Sequence, residues 1–195
     1  MAGPQQEDNR VEFQGRLEAF RQRAGALGVN VSHAGTIGIA AETITRLAKE
    51  LGTTDLVIAA ELEAVAPDLI SALAGQRLRL NTASELSSTR DAPLGLSLAR
   101  LAVAETGSVM LAEPTLADRG IGMLAATQLV LCPSDRLVES LDDAVDALRA
   151  VALQPGGGYA TLVTGPSRTA DIERVLTVGV QGPARVAVVF VDGLG

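Results

Sequence analysis

The sequence predicts an α/β protein, a three-layer α/β/α sandwich on a mostly parallel sheet. Three observations predict it. Helical periodicities alternate with short β-branched runs in the order helix, strand, helix, strand, hairpin, strand, helix, strand, helix, strand. The run Val186–Val191 is wholly apolar, as befits a central strand covered on both faces. At 195 residues the chain has the length of one domain, read as 10–195, with 1–9 as a disordered tail.

Composition limits the chemistry. Apolar residues are 47% and aromatics 2%, so the core must be built from Ala, Val, Leu and Ile. The formal net charge is -7 and Lys49 is the only lysine. No basic stripe is available to neutralise phosphates, which argues against nucleic acid. With one cysteine, Cys132, and one histidine, His33, the chain cannot assemble a zinc or iron–sulfur site by itself, so no metal ligands are expected. Met1 to Arg10 is polar and no apolar run approaches membrane length, so neither a signal peptide nor a membrane span is expected. No disulfide can form within the chain, and the cytoplasm is the expected compartment.

The elements follow in order. Phe13, Leu17, Phe20, Ala24 and Leu27 share one face of a helix over 10–28, which Gly28 ends. His33 falls in an expected loop. A second helix covers Gly38–Leu51, with Ala40, Ile44, Leu47 and Leu51 inward and Gly52 as its stop. Strand Leu56–Ala60, helix Glu63–Ala74 and strand Leu78–Leu80 lead to a polar loop, Asn81–Asp91. Ser97–Glu105 and Ser108–Ala112 form a hairpin around Thr106-Gly107. A Gly120/Gly122 turn and an Ala-rich segment precede strand Gln128–Leu131, at whose end Cys132 is expected to be a buried thiol. Ser140 to Asp143 reads as a capping box opening a helix with Leu141, Val145 and Leu148 inward. Pro155–Gly158 connects to a buried strand, Tyr159–Val163. Gly165-Pro166 breaks that strand, and Ser167 or Thr169 caps a helix facing inward through Ile172, Val175 and Leu176.

Two places suggest chemistry. A strand turning through Gly into a capped helix leaves N–H groups and a positive dipole end together, so the Thr164–Thr169 turn with Arg168 suits an anion. It lacks the glycine spacing and lysine of a P-loop. Glu105 stands among apolar neighbours at the hairpin tip, where a carboxylate faces a cavity, pairs with an arginine or caps a helix.

Thr164-Gly-Pro-Ser-Arg-Thr-Ala-Asp-Ile-Glu173, then Gly179-Val-Gln-Gly-Pro183, with Ala104-Glu-Thr-Gly-Ser108 upstream, resembles the signature of the lactate utilisation protein C family, the LUD domain. The resemblance runs from about Leu94 to Asp192. It implies the NagB/RpiA/CoA-transferase-like three-layer fold. It also implies the cluster-free component of a three-protein system oxidising L-lactate to pyruvate, with iron–sulfur clusters on partner subunits and no cofactor in this chain. The ligand implied is a small anion: lactate, pyruvate or a phosphorylated metabolite. The alternatives are a free-standing CoA-transferase-like or folate cyclo-ligase-like enzyme using Glu105, or a degenerate interaction subunit; whether the chain is an enzyme stays open. Glu105 is the implied catalytic candidate. Thr106, Gly107, Arg119, Gln128, Thr164, Gly165, Ser167, Arg168, Thr169 and Gln181 are the implied ligand-binding residues. At Gln128 and Gln181 the family pattern carries histidine, and Gln cannot titrate near neutrality.

Overall fold

The computed structural model describes residues 4–154, 158–169, 177–178 and 182–194. Among them the chain order is α1 (Pro4–Ala26), β1 (Asn30–Ala34), α2 (Ile37–Glu50), β2 (Asp55–Ile58), α3 (Glu61–Val65), α4 (Pro67–Gly75), β3 (Arg79–Thr82) and α5 (Leu86–Thr89). There follow β4 (Gly95–Val103), β5 (Ser108–Leu111), α6 (Leu116–Leu124), β6 (Thr127–Pro133), β7 (Leu137–Val138), α7 (Val145–Ala152), β8 (Thr161–Val163), β9 (Arg168–Thr169), β10 (Thr177–Val178) and β11 (Arg185–Val191).

Six strands make a parallel body in the order β1-β11-β6-β4-β2-β3. β4 runs on past these neighbours. From Ala99 it pairs with antiparallel β5, across a register shift between Ala99 and Leu101, and through Ala102 and Val103 it pairs with β7. β5 carries β8 antiparallel, which completes a nine-stranded sheet. β9 and β10 form a separate antiparallel pair.

Chain direction sets the layers. The steps β1 to β2 and β2 to β3 cross the sheet one way, and β4 to β6 crosses it the other way. Right-handed crossovers therefore send α2 and α4 to one face and α6 to the opposite face. Strand parity agrees. Leu129 and Leu131 pack with Ala40 and Ile44 of α2 and Leu69 and Leu73 of α4. Val130 and Cys132, of the other parity, pack with Leu17 and Phe20 of α1. Ala144 and α7 cover the antiparallel extension through Leu101, Val103 and Met110. The result is the expected three-layer α/β/α sandwich with a mostly parallel sheet. No described helix is long and apolar enough to cross a membrane.

Several local readings change. α1 is already helical at Pro4, within the stretch expected to be a tail. The expected loop at His33 is β1, an edge strand too polar in sequence (Asn-Val-Ser-His-Ala) to announce itself. The helix expected over Glu63–Ala74 divides at Ala66, because Pro67 can open a helix but not continue one. Within the polar loop lies α5, whose Thr89 is fully buried. Gly120 and Gly122 are not a turn but part of α6; a Cβ on Gly120 would collide with the Thr89 hydroxyl, and the small residue lets the two helices meet. The capping box holds, with the Ser140 N–H donating to Asp143 Oδ2 over 2.9 Å. The helix after it turns a different face inward: Ala144 and Val151 are buried with Leu148 against them, while Leu141 and Val145 are 40% and 44% exposed. A single 3-10 turn at Asp142–Ala144 shifts the phase. Tyr159–Val163 is not a buried strand, since β8 lies at the sheet edge with Leu162 exposed. Arg168 and Thr169 are extended, so Ser167 does not cap a helix there. The helix expected through Ile172, Val175 and Leu176 lies outside the described residues, as do 155–157 of the Gly-rich connection.

Candidate functional site at the carboxyl edge of the sheet

Open parallel sheets bind ligands beyond the carboxyl ends of their strands, above all where strand order reverses. Here the reversal falls between β2, whose chain moves outward to β3, and β4, whose chain moves inward to β6. The turn after β2 delivers Glu61, and β4 delivers Arg100. Arg100 is the one exposed residue of a strand otherwise buried along its length. It sits at the register shift between Ala99 and Leu101, and such a bulge turns a side chain out of the pleat. Its Nη2 stands 3.1 Å from a Glu61 carboxylate oxygen.

Arg100 lines a cleft of about 230 Å³ with Arg136 and Asp135, over the apolar surface of Val65, Leu98 and Leu194. Asp135 and Leu194 also line a second cleft of about 340 Å³, shared with Ser134 and Asp192. Beside it His33 Nε2 and Asp192 Oδ1 are 2.8 Å apart. Burial works to raise the Asp192 carboxyl, but the nearby Ser134 hydroxyl and the hydrogen bond with His33 outweigh it and hold the group below its ordinary value.

β4, which carries Arg100, also carries Ser97, the middle of a buried polar chain. Gln128 donates through Nε2 to Ser97 Oγ over 3.1 Å, and Ser97 donates to Glu113 Oε1 over 3.3 Å. The three residues are 1%, 0% and 4% exposed. Because the Gln amide nitrogen only donates, the Ser97 hydroxyl proton is directed at Glu113. Two further carboxylates face Glu113. Asp118 accepts from the Ala60 N–H at 2.9 Å and from the Thr115 hydroxyl at 2.6 Å, and Glu61 is the partner of Arg100. Burial pushes the Glu113 carboxyl up to about 7; the Ser97 bond opposes this, the charges of Asp118 and Glu61 add to it, and Arg119 offsets part. Burial also raises Glu61, against the pull of Arg100 and with a further push from Asp118.

The residues singled out from sequence divide into three groups. The two signature segments do meet: the Ser108 and Thr164 hydroxyls are 2.9 Å apart, where β5 pairs with β8. Yet much of that junction braces α1. Gly107 has φ +67° and a Cβ there would lie 2.6 Å from the Ala24 nitrogen; Gly165 packs on Leu27; and Arg168 donates to the Leu27 carbonyl at the end of α1. Thr106 is half-buried in the hairpin turn, Ser167 donates its N–H to the Pro183 carbonyl at 3.0 Å, and Thr169 pairs with Thr177. Glu105 is exposed, and its Oε2 accepts from the Leu141 N–H at 3.1 Å, the capping alternative among the three. The remaining group flanks the buried acid. Arg119 donates to the Glu113 and Pro114 carbonyls at 2.9 and 3.2 Å and stacks 4.1 Å above the Tyr159 ring, while Gln128 begins the chain to Glu113. Gln181 lies outside the described residues. Cys132 is fully buried and its thiol is pushed far up by burial, so it stays unionised.

Glu113, Ser97, Asp118, Glu61, Arg100 and Arg136 escaped sequence reading. One signal was there: Met110-Leu-Ala-Glu-Pro114 puts a carboxylate at the end of an apolar strand, where burial would be costly without a purpose.

Comparison with known proteins gives this site its context. The LUD domain family model matches residues 17–191. "Lactate utilization protein C" of Macrococcus caseolyticus is 31% identical over 113 residues, 56% of this chain and 48% of that protein. The protein of the same name from Bacillus subtilis is 30% identical over 112 residues, covering 55% and 45%. The chain thus spans about half the length of these relatives. "Uncharacterized protein YkgG" of Escherichia coli is 25% identical over 186 residues, covering 92% and 80%. A crystal structure of a DUF162 family protein from Deinococcus radiodurans shares the fold with a TM-score of 0.61 at 20% identity, covering 93% of this chain and 98% of that one. With its motifs meeting in the fold and the family match running through nearly all its elements, the chain belongs to the LUD domain family.

Proposed function

We propose that this chain serves lactate utilisation as the cluster-free component of a three-protein L-lactate oxidation system, and that it holds a small carboxylate, lactate or pyruvate, in the Arg100–Arg136 cleft. The names of its relatives support the pathway. The observation that carries the site is the cleft itself: two guanidiniums over an apolar floor of Val65, Leu98 and Leu194, at the edge where the strand order reverses. A guanidinium grips a carboxylate through two parallel hydrogen bonds, and the apolar floor suits a methyl group. Among the described residues, no group of three or more His, Cys, Asp or Glu is placed to hold a metal. In this reading the electrons leave through cysteine-rich iron–sulfur partner subunits.

The test is thermal melting of the purified chain with L-lactate, pyruvate and, at matched ionic strength, chloride. A ligand that binds only the native state raises the midpoint with its concentration. A rise with the two acids, lost in Arg136→Ala, is expected. An equal response to chloride, or no loss in Arg136→Ala, defeats the reading.

A further inference from the structure

Glu113 is the buried acceptor at the end of the Gln128–Ser97 chain, and it does not line the Arg100–Arg136 cleft. It is nonetheless tied to that cleft. Asp118 accepts from the Ala60 N–H, next to Glu61, the group that holds Arg100, and both carboxylates act electrostatically on Glu113. The charged groups facing Glu113 are Asp118 and Arg119 from α6 and Glu61 from the turn after β2, with Ser97 of β4 as its hydrogen-bond donor. Arg119 directs two of its N–H bonds to the Glu113 and Pro114 main-chain carbonyls, which limits how far it can neutralise the carboxyl.

We propose that Glu113 is a positioning residue that couples entry of a carboxylate anion into the Arg100–Arg136 cleft to the uptake of a proton. This rests on the cleft binding a small carboxylate, as proposed above. The mechanism is electrostatic. When an anion approaches Arg100, it meets the field of Glu61 and, behind it, of Asp118 and Glu113. Protonating Glu113 removes one of those negative charges and leaves Glu61 less repelled within its ion pair with Arg100. The anion therefore binds more tightly to the form in which Glu113 carries its proton. By reciprocity, binding the anion draws a proton onto Glu113. The Gln128–Ser97 chain fixes which carboxyl oxygen stays an acceptor, since the Ser97 hydroxyl points at Oε1. A carboxyl poised near 7 is what makes the coupling effective at neutral pH.

Isothermal titration with pyruvate and with L-lactate at pH 7, in imidazole and in HEPES, tests this. These buffers differ in ionisation enthalpy, so a difference in observed heat reports protons taken up. The wild type is expected to take up a fraction of a proton, at most about half, and to bind roughly 3- to 10-fold more weakly at pH 8 than at pH 6. Glu113→Gln, which keeps shape and removes titration, is expected to bind with no buffer dependence and no loss between pH 6 and pH 8. A titration of the wild type followed by carbon-13 NMR of Glu side-chain carboxyls gives a second reading should that variant fold poorly: one carboxyl titrating near neutrality must move to higher pH when pyruvate is added. Binding with buffer-independent heat, or an NMR midpoint that pyruvate leaves in place, overturns the coupling while leaving the cleft intact. Heat from neither acid in any buffer overturns the cleft reading and the coupling with it.

Discussion

The Ser97 hydroxyl lies 3.3 Å from Glu113 Oε1, and both side chains are sealed from water. A lone hydroxyl donor at that distance does not compensate a buried negative charge, so the carboxyl prefers its proton up to about 7. The native state then binds a proton between the unfolded value near 4.5 and about 7 that the unfolded chain has released. Stability from this group is complete below about pH 4.5 and falls as pH rises through about 7. The expected loss is on the order of 3 kcal/mol at most. Urea unfolding at pH 5.5 and pH 8 should show the wild type losing stability with rising pH and Glu113→Gln losing clearly less.

Gly107 and Gly52 separate two reasons for a glycine. Both have positive φ, +67° and +68°, but a Cβ on Gly52 meets nothing within 4 Å, whereas on Gly107 it would press on Ala24. Gly52→Ala should cost roughly 1–2 kcal/mol from backbone conformation. Gly107→Ala should add an overpacking cost of roughly 1–3 kcal/mol. Similar melting midpoints for the two variants would show that α1 yields freely at the hairpin.

Arg168 and Arg136 make a matched pair for the anion question. With its guanidinium on the Leu27 carbonyl, Arg168 acts as a cap on the negative end of α1. Arg168→Ala should lower stability by about 1 kcal/mol and leave the response to lactate and pyruvate unchanged. Arg136→Ala should do the reverse. If the acid response vanishes in Arg168→Ala instead, the anion sits at the Thr164–Thr169 turn after all.

Glu105 offers a direct comparison with Glu113. Its carboxylate caps the Leu141 N–H from the surface, so Glu105→Gln, which retains an acceptor, should shift stability by about 1 kcal/mol or less. Acid binding should persist. Loss of binding with an unchanged melting midpoint would restore Glu105 as a ligand-contacting group.

Legibility in the sequence followed the strength of local signals. β11, α1, α2 and the β4–β5 hairpin were readable because each carries an uninterrupted apolar period or a turn glycine. β1 was not, since an edge strand one layer from solvent has no need of an apolar run. The inward face of α7 was misread because one 3-10 turn rotates everything after it. The signature motifs led to the right family and to a true contact, Ser108 with Thr164, but much of their chemistry is taken up in holding α1. Glu113 and Glu61 are 52 positions apart, and what brings them together is the pairing of β2 with β4, which no local pattern encodes.

β4 belongs to both parts of the sheet, parallel with β2 and β6 through its first half and paired with β5 and β7 through its second. A strand shared in this way acts as a mechanical spine. Opening the antiparallel half frays the same backbone that anchors the parallel half, so the two cannot melt in turn. The amide protons of Leu96 to Leu98 should accordingly exchange with solvent only when the whole molecule unfolds, and calorimetry should record one transition rather than two. Arg100 lies near the midpoint of that spine, where the parallel and antiparallel halves join, so one of the cleft's two guanidiniums is carried by the strand that both halves share.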